Sequence, residues 1–343
     1  MPPRSWHLAR IGRSIQHEWR VSCFFLWSQN QTVLVNQDVE YHALNTIGSN
    51  SSLAGQSIRV PTVYAFDTTN HVLIMEDIGT PPSLKDFVSS LPDSAGFEKV
   101  ISQVGELLGS FLARLHNWGL DVSSNGNGED VLAVFRNNMV ARNVCAERTA
   151  GRLLATAKQF GIELNEGEEI IQVMQKEIRE NEETFNMGDF WCVGLERLEG
   201  QYDIDTLRRP GNIFVKLQED SPGTIIYVLD WELAKTGPSS SDLGQFLGEA
   251  YLLSHFRSKS NSQDLISSFI RSYQLTRRHS PVDIGSVVRD AGAHVAVWAV
   301  ATPWGDEEST KSAVSAGFEL FKIGASADRD AIAQSAFSGL TAS

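Results

Sequence analysis

Hydrophobic positions along this chain keep helical spacing over most of its length and switch to strand-like runs in two places. From Gln37, the run QDVEYHALNTIG puts Val39, His42/Ala43 and Ile47 on one stripe with Glu40 to its side, and Gly48 predicts the stop. IRVPTVYAFDTTNHVLIMEDIG then reads as two antiparallel strands turning at Asp67–Asn70, the second ending in Met75, Glu76 and Asp77 before Gly79. PSLKDFVSSL predicts a helix. Val104, Leu107, Leu108, Phe111, Leu112 and Leu115 predict a longer one ending at His116–Gly119. Helical patterns follow over 131–160 and 168–183. FNMGDFW, PGNIFVKL and the apolar run from Ile225 form the second strand-like region, and four more helices follow Asp242. The VSCFFLWSQNQTVLV segment reads as two short strands around a turn, and the last dozen residues read as a frayed end.

Composition narrows the classes. A chain of 343 residues can bury a sizeable core and form two lobes. A net charge of −13 lacks the basic face that nucleic-acid binding requires. Cys23, Cys145 and Cys192 are widely spaced, which fits a reducing compartment and builds no disulfide framework. The longest apolar run near the start, Val21–Trp27, is too short to cross a bilayer, so the expectation is a cytoplasmic protein with no membrane partner. Oligomeric state is not legible.

The chemistry gathers at IIYVLDWELAKTGPSSSDL. A buried strand runs into Asp230, Trp231 and Glu232, and two carboxylates at a strand's mouth can hold Mg²⁺ beside substrate phosphates. An aspartate closing a strand is also an ordinary turn or helix cap. His116, completing its helix, fits a structural role favoured by the helix dipole.

The motifs LIMEDIG, LGSFLARLHNWG, GDFW with PGNIFV, VLDWELAKTG with SDLGQFLGE, and AGAHVAVWAV, in this order over residues 37 to 325, resemble the group of aminoglycoside phosphotransferases, choline kinases and methylthioribose kinases, and in particular fungal phosphotransferase-domain proteins. The resemblance implies an α+β, protein-kinase-like bilobal fold. A small, degenerate β-rich N-lobe would occupy residues 1–79 and a large helical C-lobe residues 80–343. It also implies an ATP- and Mg²⁺-dependent phosphotransferase acting on a hydroxyl of a small molecule. Asp189 matches the base that takes the acceptor's proton, and Asn212 and Asp230 match the metal ligands, with Glu232 a candidate for a second metal. Met75, Glu76, Asp77 and Ile78 match the hinge that lies beside adenine. Glu40 resembles the helix glutamate that pairs with a phosphate-holding lysine, although a solvated helix face explains it as well. Asp242 matches the aspartate that fixes the loop, a position also suited to N-capping. Trp231 fits packing or substrate contact. Trp298 and Trp304 come from helices that wall the acceptor pocket in this group, and Trp298 equally suits the core.

Two departures accompany the resemblance. Eighteen residues, Cys192–Arg209, separate GDFW from PGNIFV, either as a surface excursion closed at its base or as 54 nucleotides of intron read through in frame. An alternative alignment puts Leu207 at the base position and implies an inactive kinase. The first lysine is Lys85, beyond the hinge, and no glycine-rich loop precedes it, so residues 1–36 read as a substitute for a missing first exon or as a degenerated lobe. A second function therefore stays open: a catalytically impaired pseudokinase that binds small molecules.

Overall fold

A computed structural model describes residues 31–92, 97–124, 130–164, 167–191, 211–217, 223–257 and 259–341. Its first element is helix α1, Gln31–Ser49. Val39, Ala43, Leu44 and Ile47 are buried on it, as the stripe predicts. The strand expected within VSCFFLWSQNQTVLV is corrected from Gln31 onward: those residues extend α1, because adding a turn to an existing helix avoids a second costly nucleation. The rest of that segment lies outside the described residues, as do residues 192–209.

The expected hairpin forms from β2 (Val63–Asp67) and β3 (Val72–Met75), with Phe66 opposite Leu73 and Asp67 opposite Val72. Its turn is set by the Asp67 carboxylate, which accepts from the backbone N–H groups of Thr69 and Asn70 at 2.9 and 3.0 Å. Ile58–Arg59 does not join this hairpin. It forms β1, paired in parallel with β6 (Thr224–Val228), which pairs antiparallel with β5 (Ile213–Leu217) in the order β1-β6-β5. One strand thus ties the N-terminal part to the sheet that carries Asp230.

Beyond the hinge, α2 (Leu84–Ser90) is capped by Ser83, whose hydroxyl accepts from the Asp86 N–H. The long helix α3 (Glu98–Ser124) runs past its expected end at Gly119. A Cβ at Gly119 would meet the Phe185 nitrogen at 2.3 Å, so this glycine admits a strand against the helix instead of stopping it. That strand, β4 (Thr184–Asn186), pairs antiparallel with β7 (Lys235–Gly237). Helices α4 (Ala133–Arg136), α5 (Met139–Arg148), α6 (Ala150–Phe160) and α7 (Gly167–Glu180) fill the two helical patterns between. The four late helices are α8 (Ser239–Phe256), α9 (Lys259–Thr276), α10 (Ile284–Ala301) and α11 (Glu307–Ser326).

The chain's end does not fray through residue 341. Helix α12 (Arg329–Ala333) and a 3-10 turn at Ser338–Leu340 bury Ile332, Phe337 and Leu340 against the core, and that apolar burial offsets the small, polar composition of the segment. The core runs from α3 through α8 and α9 to α10 and α11, and the short sheets lie across it.

Candidate active site

The loop after β4 brings Asp189 to the surface of this core. Gly188 precedes it at φ +80°, with the Leu233 carbonyl oxygen 2.3 Å from where a Cβ would stand, so only glycine makes this bend. Asp242, in the first turn of α8, holds the loop from below. Its two carboxylate oxygens accept from the backbone N–H groups of Met187 and Gly188 at 2.8 and 3.0 Å. His116 approaches Asp242 to 3.7 Å, an electrostatic contact, and its Nδ1 lies 2.8 Å from the Tyr273 hydroxyl. Burial works against the Asp242 charge, but the His116 side chain, Lys235 and the Gly188 N–H outweigh it and hold the carboxyl below its usual range. His116 is fully buried and its charge is disfavoured by that burial, in keeping with a structural role.

Asp189 and Asn212 meet. The Asn212 side-chain amide donates to the Asp189 carbonyl at 3.0 Å and to its carboxylate at 3.1 Å. The Asn212 N–H also donates to the Trp191 carbonyl at 3.2 Å, so the two ends of the intervening segment are stitched together at its base. Asp230 follows β6 at φ +64°, a left-handed conformation that a non-glycine residue rarely holds without a surrounding structure to impose it. Its carboxyl is pushed well above the ordinary range, first by burial and then by Glu232, Glu40 and Asp189, with Arg148 opposing. Asp189 is also raised by burial, with Arg148, Asn212 and Gln245 opposing.

Glu40 reaches this cluster from α1. It is buried, accepts from the Trp231 backbone N–H, and is pushed up to about 7 by burial and by the neighbouring Glu232. It therefore faces the acidic loop and does not lie on a solvated helix face. Trp231 is fully buried; its indole N–H donates to the Val228 carbonyl at 3.0 Å and its ring stacks on Phe185. Packing accounts for it.

The hinge residues sit where β3 ends. Glu76 pairs with Thr62 through backbone and carboxylate, and Asp77 accepts from the Gly79 N–H at 2.9 Å. Met75 is half-buried against the core and Ile78 is half-buried. Trp304 stands apart from Asp189: it stacks on Phe256, donates to the Trp298 carbonyl and lies under the Lys85 ammonium at 4.6 Å.

A small cleft of about 50 Å³, partly open to solvent, lies on the helical side of Asp189. Several of its residues carried no sequence signal. Arg148, at the end of α5, contacts the Asp189 carboxylate at 3.1 Å, and Lys235 is buried beside Asp242. His294 sits in a stripe that reads simply as core helix. Trp298 lines the cleft, whereas Trp304 does not line it.

The donor set fits a divalent cation held by few protein ligands. Asn212 spends its amide N–H₂ on Asp189, no hydrogen bond from a described residue occupies its Oδ1, and Asp230 carries a repulsion that a cation would relieve. Among the described residues, no group of three or more His, Cys, Asp and Glu side chains forms a ready-made cage. Mg²⁺ bound through one or two side chains and substrate phosphates needs none.

A hairpin lobe with one helix, a strand tying it to a helical lobe, and an Asp–Asn–Asp cluster at the junction define a kinase-like phosphotransferase. Over 286 residues the chain is 30% identical to 4-hydroxytryptamine kinase of Psilocybe cyanescens, covering 82% of this chain and 72% of that protein. The corresponding kinase of Psilocybe cubensis is 29% identical over 287 residues, with the same coverage. The chain belongs to this family of small-molecule kinases. A choline kinase from Cryptosporidium parvum overlaps 92% of this chain and 83% of its own at 13% identity and a TM-score of 0.41, too low a likeness to argue from. No protein-family model matches.

Proposed function

We propose that the chain transfers the γ-phosphoryl group of ATP to a hydroxyl of a small molecule, with Asp189 accepting the hydroxyl proton. The observation that carries this reading is the convergence of Asp189, Asn212 and Asp230. Two of them share hydrogen bonds, and the third, Asp230, lies close enough to feel the charge of Asp189. Asn212 Oδ1 and the Asp230 carboxylate would hold Mg²⁺, with Glu232 beside them. The bound cation supplies charge neutralisation on the nucleotide phosphates. Arg148 keeps Asp189 oriented and favours its charged form, and Asp242 fixes the loop backbone. The Met75–Ile78 segment would receive adenine. The relatives' names make a hydroxylated tryptamine the first acceptor to assay, and the aromatic wall at Trp298 suits one.

Because kinase catalysis is positioning plus electrostatics, Asp189→Ala should lower turnover by about 10²–10⁴-fold with Mg-ATP binding retained. Turnover that survives this change removes Asp189 as the base. A second reading, a binding protein without turnover, is favoured by one observation: Glu40 spends its carboxylate on the Trp231 backbone N–H. A thermal shift separates the two, since Mg-ATP at about 100 times its Kd adds about 2.7 kcal/mol. A shift with turnover supports the kinase. A shift without turnover, or no shift, supports the second reading.

A further inference from the structure

The helical wall of the cleft carries a buried pair that the phosphoryl-transfer reading does not use. His294 on α10 places its Nε2 2.7 Å from Glu249 Oε1 on α8, and both residues are almost fully buried. The other Glu249 oxygen has no hydrogen-bond partner among the described residues. A buried ion-pairing carboxylate left half satisfied costs stability, and a simple packing role for these positions would be met more cheaply by apolar side chains.

The ring's orientation is set from three sides. A Cβ on Gly248 would meet the His294 Cδ2 at 3.0 Å, so the edge carrying Cδ2 and Nε2 lies against α8. Trp298, one turn along α10, stacks on the imidazole face at 5.6 Å, and Trp191 stands edge-on to it at 6.3 Å. His294 also lines the cleft with Asp189. The edge left for the cleft carries Nδ1, which makes no hydrogen bond to any described residue. Glu249 fixes the tautomer in the way a carboxylate orients the working nitrogen of a histidine elsewhere: Nε2–H donates to the carboxylate, and Nδ1 offers a lone pair.

We infer that His294, oriented by Glu249, binds the acceptor: its Nδ1 takes a hydrogen bond from an O–H or N–H of the acceptor, and the Trp298 indole, held edge-on by Trp191 at 4.7 Å, walls the cleft beside it. This rests on the phosphotransferase reading above and assigns the residue that seats the acceptor against Asp189.

The test uses the whole chain, Mg-ATP and 4-hydroxytryptamine, and two substitutions that each keep one ring nitrogen's role. In His294→Asn the amide overlays Nδ1; in His294→Gln it overlays Nε2 and keeps the Glu249 contact. Acceptor binding through Nδ1 raises the acceptor KM about tenfold in His294→Gln and about threefold in His294→Asn, with the nucleotide KM moving less than either. The reverse ranking, or equal changes in both KM values, assigns His294 to holding Glu249 and overturns the inference. Should either protein fail to fold, Glu249→Gln replaces it: a selective rise in acceptor KM supports the inference, and an unchanged acceptor KM overturns it. A wild-type chain that binds Mg-ATP but phosphorylates no 4-hydroxytryptamine refutes the acceptor reading and this inference with it. One that does not bind Mg-ATP refutes the phosphotransferase reading itself.

Discussion

Asp230 and Asp242 stand twelve residues apart in one stretch of chain, and the fold treats them in opposite ways. Asp242 is enclosed by donors: two backbone N–H groups, an imidazole and the Lys235 ammonium bring it below its ordinary range despite complete burial. Asp230 is enclosed by other acids, on a strained backbone, with Arg148 opposing them. Satisfied, a buried carboxylate is a building element; crowded, it is a store of repulsion that holds its proton. The two therefore divide the site into a rigid floor and a charged mouth.

The division is tested most severely by removing Asp242. Asp242→Ala leaves the Met187 and Gly188 N–H groups buried without their acceptor and removes the charge facing His116, at a cost of about 3–5 kcal/mol in denaturant unfolding. A loss well under 1 kcal/mol would show that the floor does not hang on it. The folded carboxyl titrates below the unfolded one, so its contribution is present above the unfolded value and fades as pH falls through the folded one.

Glu40 probes the mouth, with the opposite sign. Its folded carboxyl lies near 7 against an ordinary 4.5, so the folded state holds a proton that the unfolded state has released. Stability therefore falls as pH rises from about 4.5 to about 7, and Glu40→Gln should recover up to about 3 kcal/mol at pH 8 while flattening that slope. Thermal melts across this range, without metal, read it directly. A slope unchanged by the substitution means that Glu40 is not the group being strained.

Asp230 carries the same strain at its centre. Asparagine tolerates a positive φ, so Asp230→Asn removes charge without adding backbone strain and should raise the metal-free Tm at pH 8. The same protein should lose the stabilisation that Mg²⁺ gives the nucleotide complex. A lowered Tm would place Asp230 with Asp242, among the floor's supports.

Much of the floor was legible before any coordinates, because periodic burial writes itself into sequence. The α3 stripe, the β2–β3 hairpin and the late helices all fell where spacing put them. Motif order singled out Asp189, Asn212 and Asp230, and the fold brings the three into one neighbourhood. What stayed hidden depends on contacts between distant segments. Gly119 looks like a helix stop until β4 is laid against it. Ile58–Arg59 looks like part of a hairpin until β6 offers a parallel partner. Arg148 and His294 sit in ordinary helical patterns, and only the third dimension turns them toward Asp189. The run before Gln37 was ambiguous in its own right, since a short apolar segment fits either period.

The hydrogen bond from Asn212 to the Trp191 carbonyl has a consequence for how this gene can change. Because those two residues bond directly, the chain between them closes a loop whose entropic cost rises only slowly with its length, so a longer or shorter spelling there leaves the register of β5 with β6 intact.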